Sequence, residues 1–161
     1  PVAEKGQRVY AHYKVWANGF RNGKAADISF TDERPYDWVL GEPTERMPPG
    51  ADEGTVGMAE GGWRRLVIPS SASYSNGLRK VNYGPTGRYV GAKAPYVVQP
   101  NTPVYFDLIM VDAGSGRCER SNRQAGKCLS TYVACHRLGR SPHFGGREGV
   151  CSEHVWRGLR S

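Results

Sequence analysis

The last third of the chain contains four cysteines and three of the four histidines, the side chains best able to bind a metal or form covalent cross-links. The cysteines are Cys118, Cys128, Cys135 and Cys151. Structural zinc sites usually pair their ligands a few residues apart, as in Cys-x-x-Cys. Here the only close pairs are Cys135 with His136 and Cys151 with His154. The spacing therefore favours disulfides over zinc, with three connectivities open, and we expect no metal site.

The same segment carries most of the net charge of +7. Residues 113–161 contain 9 Lys/Arg against 3 Asp/Glu, whereas residues 1–112 contain 13 against 12. This change of composition at Gly114-Ser115-Gly116 predicts a first domain over residues 1–112 and a basic, cysteine-containing C-terminal extension over residues 113–161. The basic residues are not interleaved with regularly spaced aromatics, so we expect no nucleic-acid binding. A solvated surface, or docking on an acidic protein or lipid face, is the preferred interpretation.

The extension is rich in glycine and arginine and poor in apolar residues, so it cannot form a core of its own. Disulfides would stabilise such a segment, and they persist in oxidising compartments. No apolar run in the chain approaches the ~20 residues of a transmembrane helix, and we expect no membrane span. The chain opens at Pro1 without a leader, so we expect either that a targeting segment has been removed or that the sequence starts inside a longer protein.

The first domain is predicted to contain more strands than helices. Loose alternation and β-branched or aromatic composition indicate strands over residues 7–16, 36–40, 63–68 and 104–111. Residues 50–58, which follow Pro48-Pro49, are the one helix candidate. Without regular alternation of strands and helices, this pattern predicts an antiparallel α+β domain. The stretch between Pro69 and Pro103 is rich in Gly, Ser, Pro and Tyr, and a loop of this length is usually functional or partly disordered.

Three motifs in this order resemble the FKBP-type peptidyl-prolyl isomerase domain. The segment Gly61 to Pro69, followed by Tyr74, is similar to the centre of that domain. The segment Gly6 to Tyr13 resembles its first strand, Gly-x-x-Val-x-Val-His-Tyr, and Pro100 to Leu108 resembles its ending, Pro-x-x-x-Leu-x-Phe-x-Val. The resemblance covers about residues 1–112. It implies a curved antiparallel sheet wrapped around one short helix, with the substrate pocket between them.

The resemblance implies rotation about X-Pro amide bonds, which has a barrier of ~18–20 kcal/mol because twisting destroys amide resonance. A site can accelerate this rotation by excluding water, gripping the prolyl ring between apolar walls and hydrogen-bonding the turning carbonyl. That chemistry requires neither a metal nor a cofactor, and none is expected.

The resemblance assigns seven residues to the proline pocket, namely Tyr13, Asp27, Tyr36, Tyr74, Val97, Val98 and Phe106. Tyr74 would offer its hydroxyl to the substrate carbonyl, and Asp27 would lie at the rim. Two positions depart from the family pattern: Ala26 replaces a wall Phe, and Ala51 replaces the Trp of the pocket floor. Loss of such a side chain leaves a space that a neighbour must refill. The neighbours that could fill it are Met47, Pro48 and Pro49.

The expected function is therefore that of an isomerase-like protein with a degraded pocket and weak or no activity. Its role would be that of an accessory subunit of a larger, membrane-associated assembly, such as a photosynthetic complex, which it contacts through residues 70–103 and the basic extension. The alternative is an active isomerase and folding helper in an oxidising lumen, whose pocket Tyr83, Tyr89 and Tyr96 would complete. Pro1 to Gly6 are similar to the start of plant and algal lumenal members, so the thylakoid lumen is the expected location.

Overall fold

The computed structural model describes residues 1–29, 35–79, 82–84, 87–89, 95–122, 141–142 and 151–152. The chain divides into two compact units, residues 1–115 and 116–161. The boundary predicted from composition, between residues 112 and 113, lies just before this division.

The first unit consists mainly of strands. In chain order its elements are β1 (Arg8–Trp16), β2 (Asp27–Ile28), β3 (Tyr36–Val39), α1 (Pro49–Thr55), β4 (Trp63–Ile68), β5 (Leu78–Arg79), β6 (Asn82–Gly84), β7 (Gly87–Tyr89), β8 (Tyr96–Val98) and β9 (Val104–Asp112). A 3-10 turn, Ser70–Ala72, follows β4. The described parts of the second unit are α2 (Arg117–Asn122) and the paired strands β10 (Ser141–Pro142) and β11 (Cys151–Ser152).

Five strands of the first unit form one antiparallel sheet. Its order is β2-β1-β9-β4, and β3 also pairs with β1. Because side chains alternate between the two faces of a strand, one face of β1 and one face of β9 supply much of the apolar core. Their core residues are Val9, Ala11, Tyr13 and Val15 on β1, and Val104, Phe106, Leu108 and Met110 on β9. The sheet and its single short helix confirm the predicted α+β class.

Helix α1 packs close to strand β4. A Cβ atom placed on Gly50 would lie 2.6 Å from Ile68 Cγ2, and one on Gly54 would lie 2.5 Å from Leu66 Cδ1. Glycine at these two helix positions therefore permits the close approach. Pro49 begins the helix, where its missing N–H costs no intrahelical hydrogen bond.

Within the described residues, no helix is long and apolar enough to span a membrane.

Candidate functional site

A group of aromatic side chains lies on the core face of the sheet. The ring centroids of Tyr13 on β1 and Phe106 on β9 are 5.6 Å apart, and those of Phe106 and Tyr74 are 6.4 Å apart. Tyr36 on β3 meets Tyr13 edge-on at 5.9 Å. Tilted and edge-on contacts of this kind add about 0.5–1.5 kcal/mol to the stabilisation from area burial alone. The structure thus brings together four of the residues predicted for the pocket.

A buried ion pair lies beside these rings. Asp27 on β2 receives two hydrogen bonds from Arg46, 2.8 Å from Nε to Oδ2 and 2.9 Å from Nη2 to Oδ1. The side chains of Arg46 and Asp27 are only 5% and 3% exposed. The hydroxyl of Tyr13 also donates to Asp27 Oδ2. Asp27 therefore lies among the aromatic residues, as the resemblance implied, but its carboxylate already has partners within the chain.

Arg46 occupies the space above two of the rings. Its guanidinium carbon lies 5.3 Å from the centroid of Tyr13 and 5.0 Å from that of Tyr36, within the range of cation–π attraction. The main chain of Arg46 is engaged as well, because the Tyr74 hydroxyl donates to its carbonyl oxygen over 3.1 Å. Arg46 therefore contacts both the Asp27 carboxylate, which the resemblance places at the pocket rim, and the Tyr74 hydroxyl, which it assigns to the substrate carbonyl.

A tight turn positions Arg46. The Met47 amide donates to Thr44 Oγ1 over 3.1 Å, and the Thr44 amide donates to the Met47 carbonyl over 2.9 Å. Thr44 Oγ1 is also hydrogen-bonded to the Tyr36 hydroxyl at 2.7 Å. Sequence reasoning missed Arg46, because a single arginine in the connection before α1 belongs to no motif and its partner Asp27 is distant in the chain.

The two positions that depart from the family pattern lie in packed surroundings. Ala51 on α1 is 0% exposed, as is Met47 nearby in the sequence, and both belong to the apolar core. Ala26 is partly buried and packs against the same core. Pro48 is buried, and Pro49 is exposed at the start of α1.

Two further residues predicted for the pocket differ in their surroundings. Val98 on β8 is 1% exposed and joins the core. Its neighbour Val97 is 38% exposed and is not part of that cluster. The ring of Tyr96 packs against Arg79, whose guanidinium carbon lies 4.0 Å from the ring centroid. The side chains of Tyr83 and Tyr89 lie outside the described residues.

A hydrogen bond from Trp38 helps to fix the helix against the sheet. The indole Nε1 of Trp38 donates to Asp52 Oδ1 over 2.8 Å, and the Gly41 amide donates to both carboxylate oxygens of Asp52, at 3.0 and 3.1 Å. Asp52 lies in the first turn of α1, where a negative charge also interacts favourably with the helix dipole.

Burial and the nearby Asp27 carboxylate raise the pKa of Tyr13 well above its ordinary value of 10.0. The unfolded chain therefore releases this proton first as the pH rises, so stability is fully present below pH ~10 and falls above it. We expect the free energy of unfolding to decrease more steeply between about pH 9 and pH 11 in the wild type than in Tyr13→Phe. Urea titrations at several pH values measure this slope. Equal slopes in the two proteins would contradict a raised pKa of Tyr13. The control variant is Tyr105→Phe, which also removes a tyrosine hydroxyl.

The predicted disulfide residues are only partly described. Cys118 on α2 is 1% exposed and is not a free cysteine. Cys128 and Cys135 lie outside the described residues, and Cys151 is described only as part of β11. Within the described residues, no three His, Cys, Asp or Glu side chains are grouped so that they could hold a metal ion. The pairing of the cysteines stays a prediction.

An antiparallel sheet covering one short helix, with an aromatic site on the covered face, defines the class of proteins built on the FKBP fold. The family model for FKBP-type peptidyl-prolyl cis-trans isomerase matches residues 1–111. The chain belongs to this family, which confirms the resemblance deduced from the motifs.

Individual relatives agree with this assignment. The peptidyl-prolyl cis-trans isomerase FPR2 of Saccharomyces cerevisiae is 32% identical over 113 residues, which cover 70% of each chain. The chloroplastic peptidyl-prolyl cis-trans isomerase FKBP16-3 of Arabidopsis thaliana is 32% identical over 108 residues, covering 67% of this chain and 41% of that protein. The crystal structure of AtFKBP13 matches with a TM-score of 0.50 and 25% identity, covering 70% of this chain and 83% of the other.

Other relatives are considerably longer than the matched region. FK506-binding protein 5 of Dictyostelium discoideum is 34% identical over 109 residues, which are 67% of this chain and 6% of that protein. The match to the FK506-binding protein of Neisseria meningitidis serogroup B covers 62% of the relative. The chain thus spans less than two thirds of the length of these two curated relatives.

Proposed function

We propose that this protein is an FKBP-type scaffold whose proline site is occupied by its own side chains, with weak or no isomerase activity. Its role is that of a protein-binding accessory subunit in a larger assembly. The observation that carries the proposal is the position of Arg46, which binds Asp27 through its guanidinium and Tyr74 through its carbonyl.

A substrate would have to displace this arginine before its prolyl ring could reach the aromatic rings. Removing one partner from a buried ion pair is strongly unfavourable, on the order of 3–5 kcal/mol, because the other charge is left without compensation. The same motion would take the guanidinium away from the rings of Tyr13 and Tyr36. Substrate binding energy spent on this displacement is not available to stabilise the twisted amide.

The two alanines that depart from the family pattern, Ala26 and Ala51, also support a site with weak or no isomerase activity. The family pattern has a Phe and a Trp at the positions of Ala26 and Ala51, and these large apolar surfaces would grip a prolyl ring. In this chain Ala51 and Met47 are both fully buried. Both residues belong to the same buried core, which supports a site that is filled rather than enlarged.

A second candidate is an active isomerase that opens when substrate arrives. The observation that favours it is the presence of Tyr13, Asp27, Tyr74 and Phe106 together on one face of the sheet. In this case Arg46 would leave the site at low cost, and the protein would act as a folding helper.

Opening the site by mutation tests the proposal. The double variant Asp27→Asn/Arg46→Met removes both buried charges together. If the guanidinium blocks the site, we expect this variant to isomerise an Ala-Pro peptide about tenfold faster than the wild type, or more. Exchange NMR on the peptide measures the rate. The matched control is Arg8→Met, which removes an arginine from the exposed pair with Asp37. A double variant that folds and is no faster than the wild type would contradict a blocking role for Arg46.

We also propose that the four cysteines form two disulfides and that the protein works in an oxidising compartment, the thylakoid lumen. Support comes from the buried Cys118, which is not a free cysteine, and from the relative described as chloroplastic. Iodoacetamide is expected to leave the denatured, unreduced chain unmodified and to label all four cysteines after reduction. Mass spectrometry measures the labelling, and full labelling without reductant would contradict the proposal.

A further inference from the structure

The outer face of the sheet, which is the face opposite the aromatic site, carries exposed apolar side chains. Side chains alternate along a strand, and Trp63, Arg65 and Val67 on β4 are exposed on this outer face. Trp63 is 52% exposed and Val67 is 64% exposed. The two residues are four positions apart, which is about 13 Å along a β-strand. Apolar surface exposed on a rigid sheet in this way is typical of an interaction site.

Arg65, which lies between these two residues, is held in a fixed position. Its Nε and Nη2 donate to the two carboxylate oxygens of Asp107 over 2.7 and 3.1 Å. Its guanidinium carbon lies 4.4 Å from the ring centroid of Phe20 and 5.4 Å from that of Trp63. The side chain is nevertheless 40% exposed. Because the guanidinium is already ordered, a partner that binds it does so at a lower cost in conformational entropy.

Part of this ordered guanidinium is available to a partner. An arginine has five N–H donors, and Asp107 accepts from Nε and Nη2 only. Among the described residues, Nη1 of Arg65 has no hydrogen-bond partner. A carboxylate from another molecule can therefore accept a hydrogen bond from Nη1 while the bonds to Asp107 remain in place.

The charges around Arg65 favour an acidic partner. Asp107 is opposite Arg65 on one side and opposite Lys14 of β1 on the other. Burial and the positive charge of the exposed Arg21 lower the pKa of Lys14. One carboxylate is thus shared among three cations, and a further anion would reduce their mutual repulsion. A second copy of this chain would instead bring like charges together.

We propose that the outer face around Arg65 is a docking surface for an acidic protein partner. A carboxylate of the partner binds Nη1 of Arg65, and apolar side chains of the partner pack on Trp63 and Val67. Tryptophan and arginine are the residues that most often dominate the binding energy of protein interfaces. An anionic lipid surface fits less well, because its recognition uses clusters of about four to eight basic residues. The inference rests on the protein-binding role proposed above, and it requires no entry into the proline site.

Retention of the full chain on a peptide resin tests the proposal. The resin carries the peptide Leu-Ser-Asp-Ser-Leu at millimolar density, and in an extended peptide the leucines and the aspartate share one face. Arg65→Lys keeps the charge and a partner for Asp107 but loses the planar fork of donors, so we expect about threefold weaker retention. Arg8→Lys makes the same exchange in the exposed pair with Asp37 and is expected to change nothing. The two variants have equal net charge, so non-specific retention of the basic chain cancels in the comparison.

A second pair of variants tests the apolar part of the surface. Trp63→Ala is expected to weaken retention about tenfold, whereas Tyr96→Ala, at an aromatic residue that is 36% exposed on β8, is expected to have no effect. Equal retention of the two variants within either pair overturns the proposal. Binding to phosphatidylglycerol vesicles that Trp63→Ala abolishes would also overturn it, because the surface would then belong to lipid. Failure here leaves the blocked proline site untouched, since the peptide contains no proline and the isomerase rate is measured separately.

Discussion

Replacing Asp27 with alanine is expected to lower the free energy of unfolding by about 3–5 kcal/mol. The variant removes the carboxylate that accepts two hydrogen bonds from the buried Arg46 guanidinium. It also removes the acceptor of the Tyr13 hydroxyl. Urea unfolding followed by tryptophan fluorescence measures the change.

Two further variants show whether this loss comes from breaking the buried ion pair. Asp27→Ala/Arg46→Met removes the whole ion pair and is expected to regain most of the lost stability, because a buried pair can be replaced by apolar groups at little cost. Asp37→Ala breaks the pair with Arg8, whose side chains are each 45% exposed, and is expected to cost less than about 1 kcal/mol. If Asp27→Ala were no more destabilising than Asp37→Ala, the description of Asp27 and Arg46 as a buried pair would be wrong.

Replacing Phe106 with alanine is expected to cost about 3–5 kcal/mol of stability. Phe106 is fully buried, and its ring lies between those of Tyr13 and Tyr74. The truncation therefore opens a cavity in the aromatic group, which the paired strands β1 and β9 cannot close by moving together. Chemical unfolding measures the difference from the wild type.

The neighbouring residue provides the control for Phe106. Tyr105 is on the opposite face of β9 and is only partly buried. Tyr105→Ala is expected to cost about 1 kcal/mol through its contact with Phe20. A cost for Phe106→Ala as small as that for Tyr105→Ala would show that the aromatic group is loosely packed.

The long strands could be predicted from the sequence because their patterns are strong. Strand β4 has the predicted bounds, Trp63–Ile68, and β1 and β9 differ from their predictions by one residue. The helix was predicted over residues 50–58 but ends at Thr55, where the chain leads into Gly57 with a φ of 74°. A left-handed residue of this kind terminates a helix, and glycine adopts that conformation most readily.

The stretch predicted as a long loop contains short antiparallel pairs. Strand β5 pairs with β8, and β6 pairs with β7. Each of these strands has two or three residues, which is too short for alternation to be visible in a sequence. Their formation depends on partners that are distant in the chain or on a turn, and not on local composition.

The site was predictable where the family resemblance led to it. Tyr13, Tyr74 and Phe106 were found because they belong to segments that resemble the family pattern. Arg46 was not, because its role arises from contacts with Asp27, Tyr36 and Tyr74 that exist only after folding. The resemblance identified the residues of the aromatic site, whereas the contacts of the folded chain identify the group that fills it.

The central claim is that the wild-type site is blocked by its own side chains, and isomerisation of a proline peptide by the unmodified full chain tests this most directly. Exchange NMR on an Ala-Pro peptide gives the cis/trans rate with and without the protein. We predict that micromolar protein leaves this rate close to the uncatalysed one, which has a time constant of tens to hundreds of seconds. Acceleration comparable to that given by a competent FKBP under the same conditions would contradict the claim and establish the chain as an active isomerase.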